Sequence, residues 1–208
     1  MRNPFTRLIR KHRYGEPIVI VSGLPRSGTS MVMKMLEAGG FPILTDHARR
    51  ADEDNPEGYF EYERVKQLAS EKDKSWVREA RGKALKVISH LVKELPADNF
   101  YSVILVRRDL SEVLKSQNIM LSRRQQPNPI EDAQAEELYR KHLLSVQLHL
   151  QNSPNCEVLA MRFHEIVHDP LASARQISQF VPRRLDPHRM AGVVNERLYR
   201  NRNPQPAT

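Results

Sequence analysis

Two glycines set five apart, Gly23 and Gly28, mark the residues of this chain best suited to chemistry: Pro25, Arg26 and Ser27 between them, and Thr29 and Ser30 just after. A Gly-x-x-x-x-Gly loop between a strand and a helix cradles phosphate, because backbone N–H groups converge on the anion and the helix dipole favours it. The nucleoside-triphosphate version of this loop follows its second glycine with lysine, which reaches the β/γ-phosphates. Here Thr29 takes that place, and the positive charge lies inside the loop as Arg26. One arginine, backbone donors and two hydroxyls, Thr29 and Ser30, suit a terminal 5′-phosphate or phosphosulfate. A kinase or NTPase would need its lysine from elsewhere in the chain.

The elements that position this loop are legible. Ile18 to Val21 is a short β-branched run, too brief for a helix and followed by turn residues, which predicts a buried strand. From Thr29 the pattern turns helical, with Val32, Met35 and Leu36 on one face, and it stops at Gly39-Gly40. A second strand–turn–helix follows downstream. Tyr101 to Val106 predicts a buried strand with Arg107 and Arg108 at its C-terminal end, where ligands bind in open parallel sheets. Asp109 is placed to cap a helix from Leu110 to Leu121, which brings Ser116 round to the side of Arg108. An arginine fork with a serine hydroxyl is sound chemistry for a phosphate monoester. Arg107 is expected to point the other way, since consecutive strand residues alternate.

Leu24-Pro-Arg-Ser-Gly-Thr-Ser resembles the 5′-phosphosulfate loop of the sulfotransferase superfamily, and Tyr101 to Ser116 resembles its 3′-phosphate element, a strand ending in Arg with Ser eight positions later. The resemblance runs from about Pro17 to about Val181. It implies an α/β, P-loop-like three-layer fold: a mostly parallel four- to five-stranded sheet flanked by helices. It further implies 3′-phosphoadenosine-5′-phosphosulfate (PAPS) as donor and PAP as product, without a metal. In that scheme Pro25, Arg26, Ser27, Gly28, Thr29 and Ser30 hold the 5′-phosphosulfate, and Arg108 with Ser116 holds the 3′-phosphate. Transfer goes to an acceptor hydroxyl or, second, an amine. The alternatives are a PAP- or nucleotide-binding protein of the same fold without transfer, and a P-loop-type kinase or NTPase.

Transfer to a hydroxyl needs a group that removes the acceptor's proton. Relatives that resemble this chain place a Glu shortly after the first helix, which points to Glu61 first and Glu57 second, with Asp46 in the same window. Charge complementarity at a helix start would equally account for Glu61. Cytosolic sulfotransferases carry Lys-Thr-His after the matching strand, with His as base. Here Lys86 precedes His90 by four residues instead of two. His90 has a suitable ordinary pKa, and Lys86 could stabilise the leaving phosphate's bridging oxygen.

Composition bounds the remainder. The 208 residues predict a single domain with a basic leader over 1–16 and a basic, partly flexible tail over 183–208. A net charge of +8 calls for an anionic partner. Nucleic acid is not expected, since aromatics are only 6% and no recognition-motif spacing appears. The single cysteine, Cys156, excludes a disulfide framework. No membrane span or signal-peptide core is apparent, so the expected location is cytoplasmic. The leader intersperses Phe5, Leu8 and Ile9 among Arg2, Arg7, Arg10, Lys11 and Arg13, which reads as a solvated leader or as a basic amphipathic segment for a membrane surface or anionic partner. Further strands are expected at Phe41 to Leu44 and Cys156 to Met161. Helices are expected from Glu61 to about Glu71 (Val65, Leu68 and Ala69 inward), from Glu131 to Gln151 (Ala135, Leu138, Leu143, Val146 and Leu150 inward), and from Leu171 to Val181. His164 to His168 matches H-E-x-x-H literally, but Asp169-Pro170 cuts the helix that zinc chemistry would need. The same stretch resembles the family's Tyr-Glu-Asp-Leu turn, with Phe163, His164, Glu165 and Ile166 at its positions. Arg197, Arg200 and Arg202 are candidates to close over the 3′-phosphate. The acceptor stays open among saccharide, lipid, small phenol and protein-borne groups, as does homo-oligomerisation.

Overall fold

The computed structural model describes residues 4–46, 48, 52, 58–128 and 130–195. Glu57, Arg197, Arg200 and Arg202 therefore lie outside the described residues. Helix α1 (Pro4–Tyr14) leads into strand β1 (Ile18–Ser22) and helix α2 (Thr29–Ala38). Two 3-10 turns, Glu63–Gln67 and Ser75–Ala80, precede β2 (Ala84–Lys86), and a third, Ser89–Glu94, follows it. Then come β3 (Tyr101–Arg107), α3 (Leu110–Arg123), α4 (Asp132–Asn152) and β4 (Cys156–Arg162). Helices α5 (Phe163–His168), α6 (Pro170–Phe180) and α7 (Pro187–Gly192) close the described chain.

Among the described residues the sheet has four strands in the order β2-β1-β3-β4, and every pairing is parallel. Strand β1 is buried along its whole length, as a continuous apolar run in a covered parallel sheet should be. Val19, Val21, Ile104 and Val106 face α2, α5, α6 and α7, whereas Ile18, Ile20 and Val103 face α4 and the 3-10 turns. Full burial of each such side chain contributes about 1.5–3 kcal/mol. Because strand order reverses at β1, the chain leaves β1 through α2 on one face and leaves β3 toward α4 on the other. That divergence makes a switch point at the strands' C-terminal edge, the place where open α/β sheets bind ligands.

Three sequence expectations are corrected. Phe41 to Leu44 is not a strand: only Ile43 bridges Ala84, and Pro42, lacking an N–H, offers its carbonyl alone. Glu61 to Glu71 is not an α-helix but the five-residue 3-10 turn. Its three-residue repeat turns Val65 and Leu68 inward and leaves Ala69 exposed. In α4, Leu138 is 50% exposed, whereas its neighbour Tyr139 reaches α3, its hydroxyl donating to Gln117 at 2.9 Å, and Asp132 accepts from Asn118 at 3.0 Å. Among the described residues no helix is long and apolar enough to cross a membrane.

Candidate functional site

The loop after β1 begins as a turn, with the Ser27 N–H on the Leu24 carbonyl at 3.2 Å. Pro25 presets the first corner and Arg26 takes φ +70° at the second, the pattern of a type II turn with arginine where glycine is usual. That left-handed backbone costs about 1–2 kcal/mol, and such strain gathers at functional sites. Both the carbonyl and the guanidinium of Arg26 bond to the segment that follows β3. The carbonyl accepts from Arg108 Nη1 at 3.1 Å, and Nε donates to Ser116 Oγ at 3.0 Å.

Gly28, at φ +97°, is the N-cap of α2, and no side chain caps the helix. Its first-turn N–H groups therefore stay directed at the loop. Both glycines are sterically required. A Cβ on Gly23 would lie 2.6 Å from the Val106 carbonyl, and one on Gly28 would lie 2.3 Å from a Phe163 ring carbon. Ser27 is 1% exposed, and its hydroxyl, buried under the loop, has no hydrogen-bond partner.

Arg108 reaches the loop from the end of β3. Its Nε lies 2.9 Å from Glu112 Oε2, a pair with side chains only 8% and 5% exposed, and its guanidinium sits 4.5 Å from the centre of the Phe163 ring. Asp109 caps α3 by accepting from the N–H groups of Ser111 and Glu112, which turns Ser116 toward Arg26. Arg107 points the other way as expected, with Nη2 donating to Gln147 of α4.

From the opposite side comes Lys86, at the end of β2 and 9% exposed. Its ammonium donates to Ser30 Oγ at 3.1 Å and to the Tyr59 carbonyl at 2.7 Å, and lies 3.7 Å from Glu61 Oε1. Glu61 is anchored through its backbone, whose carbonyl accepts from Thr45 Oγ1 at 2.7 Å. A neighbouring strand thus brings an ammonium to the first turn of α2.

Asp46 does a different job. Burial pushes its carboxyl up, but the backbone N–H groups of Glu63, at 2.6 Å, and Ala48, at 3.0 Å, outweigh this and hold it below the ordinary value. It fastens the turn after Glu61. His90 stands apart from Lys86 and Glu61 in its contacts. Its ring stacks on His142 of α4 at 4.1 Å, and burial lowers its pKa. The turn that carries it is tied to the loop, since the Ser89 N–H donates to the Gly23 carbonyl at 2.9 Å. His164 and His168 fall on α5, which stops before the Asp169 cap of α6.

The family described as Sulfotransferase domain matches residues 16–206. The chain belongs to that family. No curated protein matches the sequence. Among solved structures, a sulfotransferase from Alicyclobacillus acidocaldarius is similar at 16% identity and a TM-score of 0.46, over 83% of this chain and 85% of that one. The sulfotransferase domain from the curacin biosynthetic pathway is similar at 13% identity and 0.49, over 92% and 93%. Mouse sulfotransferase SULT7A1, solved with PAP, is similar at 19% identity and 0.47, over 88% of this chain and 63% of its own.

In this sulfotransferase-family chain, sequence reasoning missed Glu112 and Tyr59, and it singled out Phe163 only as part of a turn, not as a ring against Gly28 and Arg108. The four-residue step from Arg108 to Glu112 was visible as an ion-pair spacing. A backbone carbonyl at Tyr59 and a ring packed on Gly28 leave no such trace.

Proposed function

We propose that this chain transfers a sulfuryl group from PAPS to an acceptor hydroxyl or, second, an amine. The observation that carries the reading is that both phosphate elements close on one loop. Ser116 meets Arg26 across ninety positions of sequence, and Lys86 meets Ser30 from the other side across fifty-six. The residues fit the donor: uncapped N–H groups at the start of α2, the buried hydroxyl of Ser27, and two guanidiniums suit its anionic groups. PAPS, when bound, supplies the activated sulfuryl group as a mixed anhydride.

In this reading each side chain takes a role. Pro25, Arg26, Ser27, Gly28, Thr29 and Ser30 hold the 5′ end, and Arg108 with Ser116 holds the 3′-phosphate. Lys86 places a positive charge at Ser30, where negative charge grows on the departing oxygen. Glu61, beside that ammonium, accepts the acceptor's proton, and the pair positions both without a metal.

The test is calorimetric titration with PAP, with 5′-AMP and ATP as controls, followed by PAP release from PAPS across a panel of hydroxyl acceptors. PAP should bind, 5′-AMP more weakly, and Arg108→Ala should erase that difference. With an acceptor in hand, Glu61→Gln should lower turnover about 10²–10⁴-fold while PAP binding persists. ATP binding without PAP binding would overturn the reading in favour of a nucleoside-triphosphate enzyme. Loss of turnover in His90→Asn but not in Glu61→Gln would move the base to His90.

A further inference from the structure

Helix α1 faces the wrong way for a helix that covers a core. Phe5, Leu8 and Ile9 share one face by their spacing, and they are 67%, 64% and 53% exposed. The opposite face, with Arg7, Arg10 and Tyr14, is the one that meets the domain. Arg7 Nη2 lies 3.5 Å from Glu157 Oε1, a carboxylate also held by Ser102 Oγ at 2.5 Å. The Arg10 guanidinium lies 5.8 Å from the centre of the Phe100 ring, and Tyr14 is half-buried. Glu157 and Phe100 stand at the N-terminal ends of β4 and β3, so α1 sits at the pole opposite the phosphate loop. Lys11 and Arg13 flank the apolar ridge, His12 lies along it one turn beyond Leu8 and Ile9, all three are exposed, and Pro4–Tyr14 contains no Asp or Glu.

We propose that α1 docks the protein on an anionic phospholipid surface, with Phe5, Leu8 and Ile9 entering the headgroup–acyl boundary and Lys11 and Arg13 meeting phosphate headgroups. Two observations select a bilayer over a protein partner. The charged residues that border the ridge, Lys11 and Arg13, are both basic and exposed, Lys11 sharing its charge with Glu16 just beyond the helix at 2.5 Å, and within Pro4–Tyr14 no acid offsets them, which complements a negatively charged membrane. In addition, a stable protein interface covers about 800 Å² on each partner. Three side chains along one convex helix offer a narrow ridge, which suits a deformable interface. The domain's own contacts, through Arg7 and Arg10, fix the helix with that ridge outward, so binding needs no rearrangement. The phosphate loop then faces away from the membrane, open to acceptors in solution.

The experiment is co-sedimentation of the full chain with vesicles of phosphatidylcholine alone and of phosphatidylcholine with phosphatidylglycerol, at low and high salt. Binding should require the anionic lipid and weaken with salt. Leu8→Gln with Ile9→Gln should weaken it on the order of tenfold or more, and Lys11→Gln and Arg13→Gln about fivefold each. These positions are exposed, so thermal unfolding and PAP binding should be unchanged. The proposal is overturned if anionic vesicles do not bind the chain, if neutral vesicles bind it equally, or if the Leu8/Ile9 variant binds undiminished. It is also overturned if sedimentation velocity shows a self-associated chain that the same variant dissociates, for then a second copy covers the ridge.

Discussion

Gly28→Ala places two costs on a single added atom. The first is backbone: at φ +97° an L-residue is disfavoured by about 1–2 kcal/mol. The second is steric. The new Cβ would lie 2.3 Å from Phe163 Cδ2 and 2.7 Å from Cε2, against 3.4 Å where ordinary contact begins, so the ring must retreat by 3.4 − 2.3 = 1.1 Å. Overpacking of that kind costs about 1–3 kcal/mol, for a total of about 2–5 kcal/mol. Gly40 supplies the control. It has φ +90° and open space where a Cβ would go, so Gly40→Ala should carry the backbone cost alone, about 1–2 kcal/mol. Urea unfolding of the two variants beside the parent chain measures both. Because the displaced ring also lies against the Arg108 guanidinium, Gly28→Ala should weaken PAP binding as well, and Gly40→Ala should not. Phe163→Leu on the Gly28→Ala background should recover part of the steric cost, a coupling read from the double-mutant cycle. Equal destabilisation by the two alanines, within about 0.5 kcal/mol, would refute the claim that the Phe163 ring is what excludes a side chain at position 28.

Two further outcomes are expected. Glu112→Ala removes the carboxylate facing the buried Arg108 guanidinium and should cost about 3–5 kcal/mol in chemical denaturation at neutral pH, while Glu112→Gln, which keeps an acceptor oxygen, should cost less; a neutral Glu112→Ala would mean that the pair is not desolvated. The stacked His90 and His142 are both held below the ordinary imidazole value, each first by burial and His142 also by its neighbours His90 and Lys93. The unfolded chain therefore binds protons that the folded chain refuses, so the pair's contribution is intact above about pH 6.5 and is lost as pH falls below it. Melting temperatures taken across that range should fall on the acid side, and His90→Asn with His142→Gln should flatten the slope; identical slopes would refute the assignment.

Features built within one local stretch were legible in the sequence. The apolar run of β1, the Gly23–Gly28 spacing and the start of α2 at Thr29 all depend on neighbours along the chain, and they determined the strand–loop–helix unit. The same holds for Arg108, the Asp109 cap and Ser116, which share one strand–turn–helix and whose spacing is set by helix geometry. Alternation along β3 also determined that Arg107 would turn from Arg108.

What required the tertiary structure were contacts across strand pairings. Lys86 reaches Ser30 because β2 pairs parallel with β1, with Val21 opposite Lys86, a register no local pattern encodes. Glu61 arrives beside it just ahead of the Glu63–Gln67 3-10 turn, where helical periodicity had suggested an α-helix; Val65 and Leu68 satisfy both repeats, so the pattern alone did not choose between them. The apolar residues of α1 could equally have covered a core. Only the placement of Glu157 and Phe100 under Arg7 and Arg10 turned them to solvent. Composition determined the excess of cations, and folding decided where three of them gather: parallel pairing brings Arg26, Arg108 and Lys86, far apart in sequence, to one loop at one edge of the sheet.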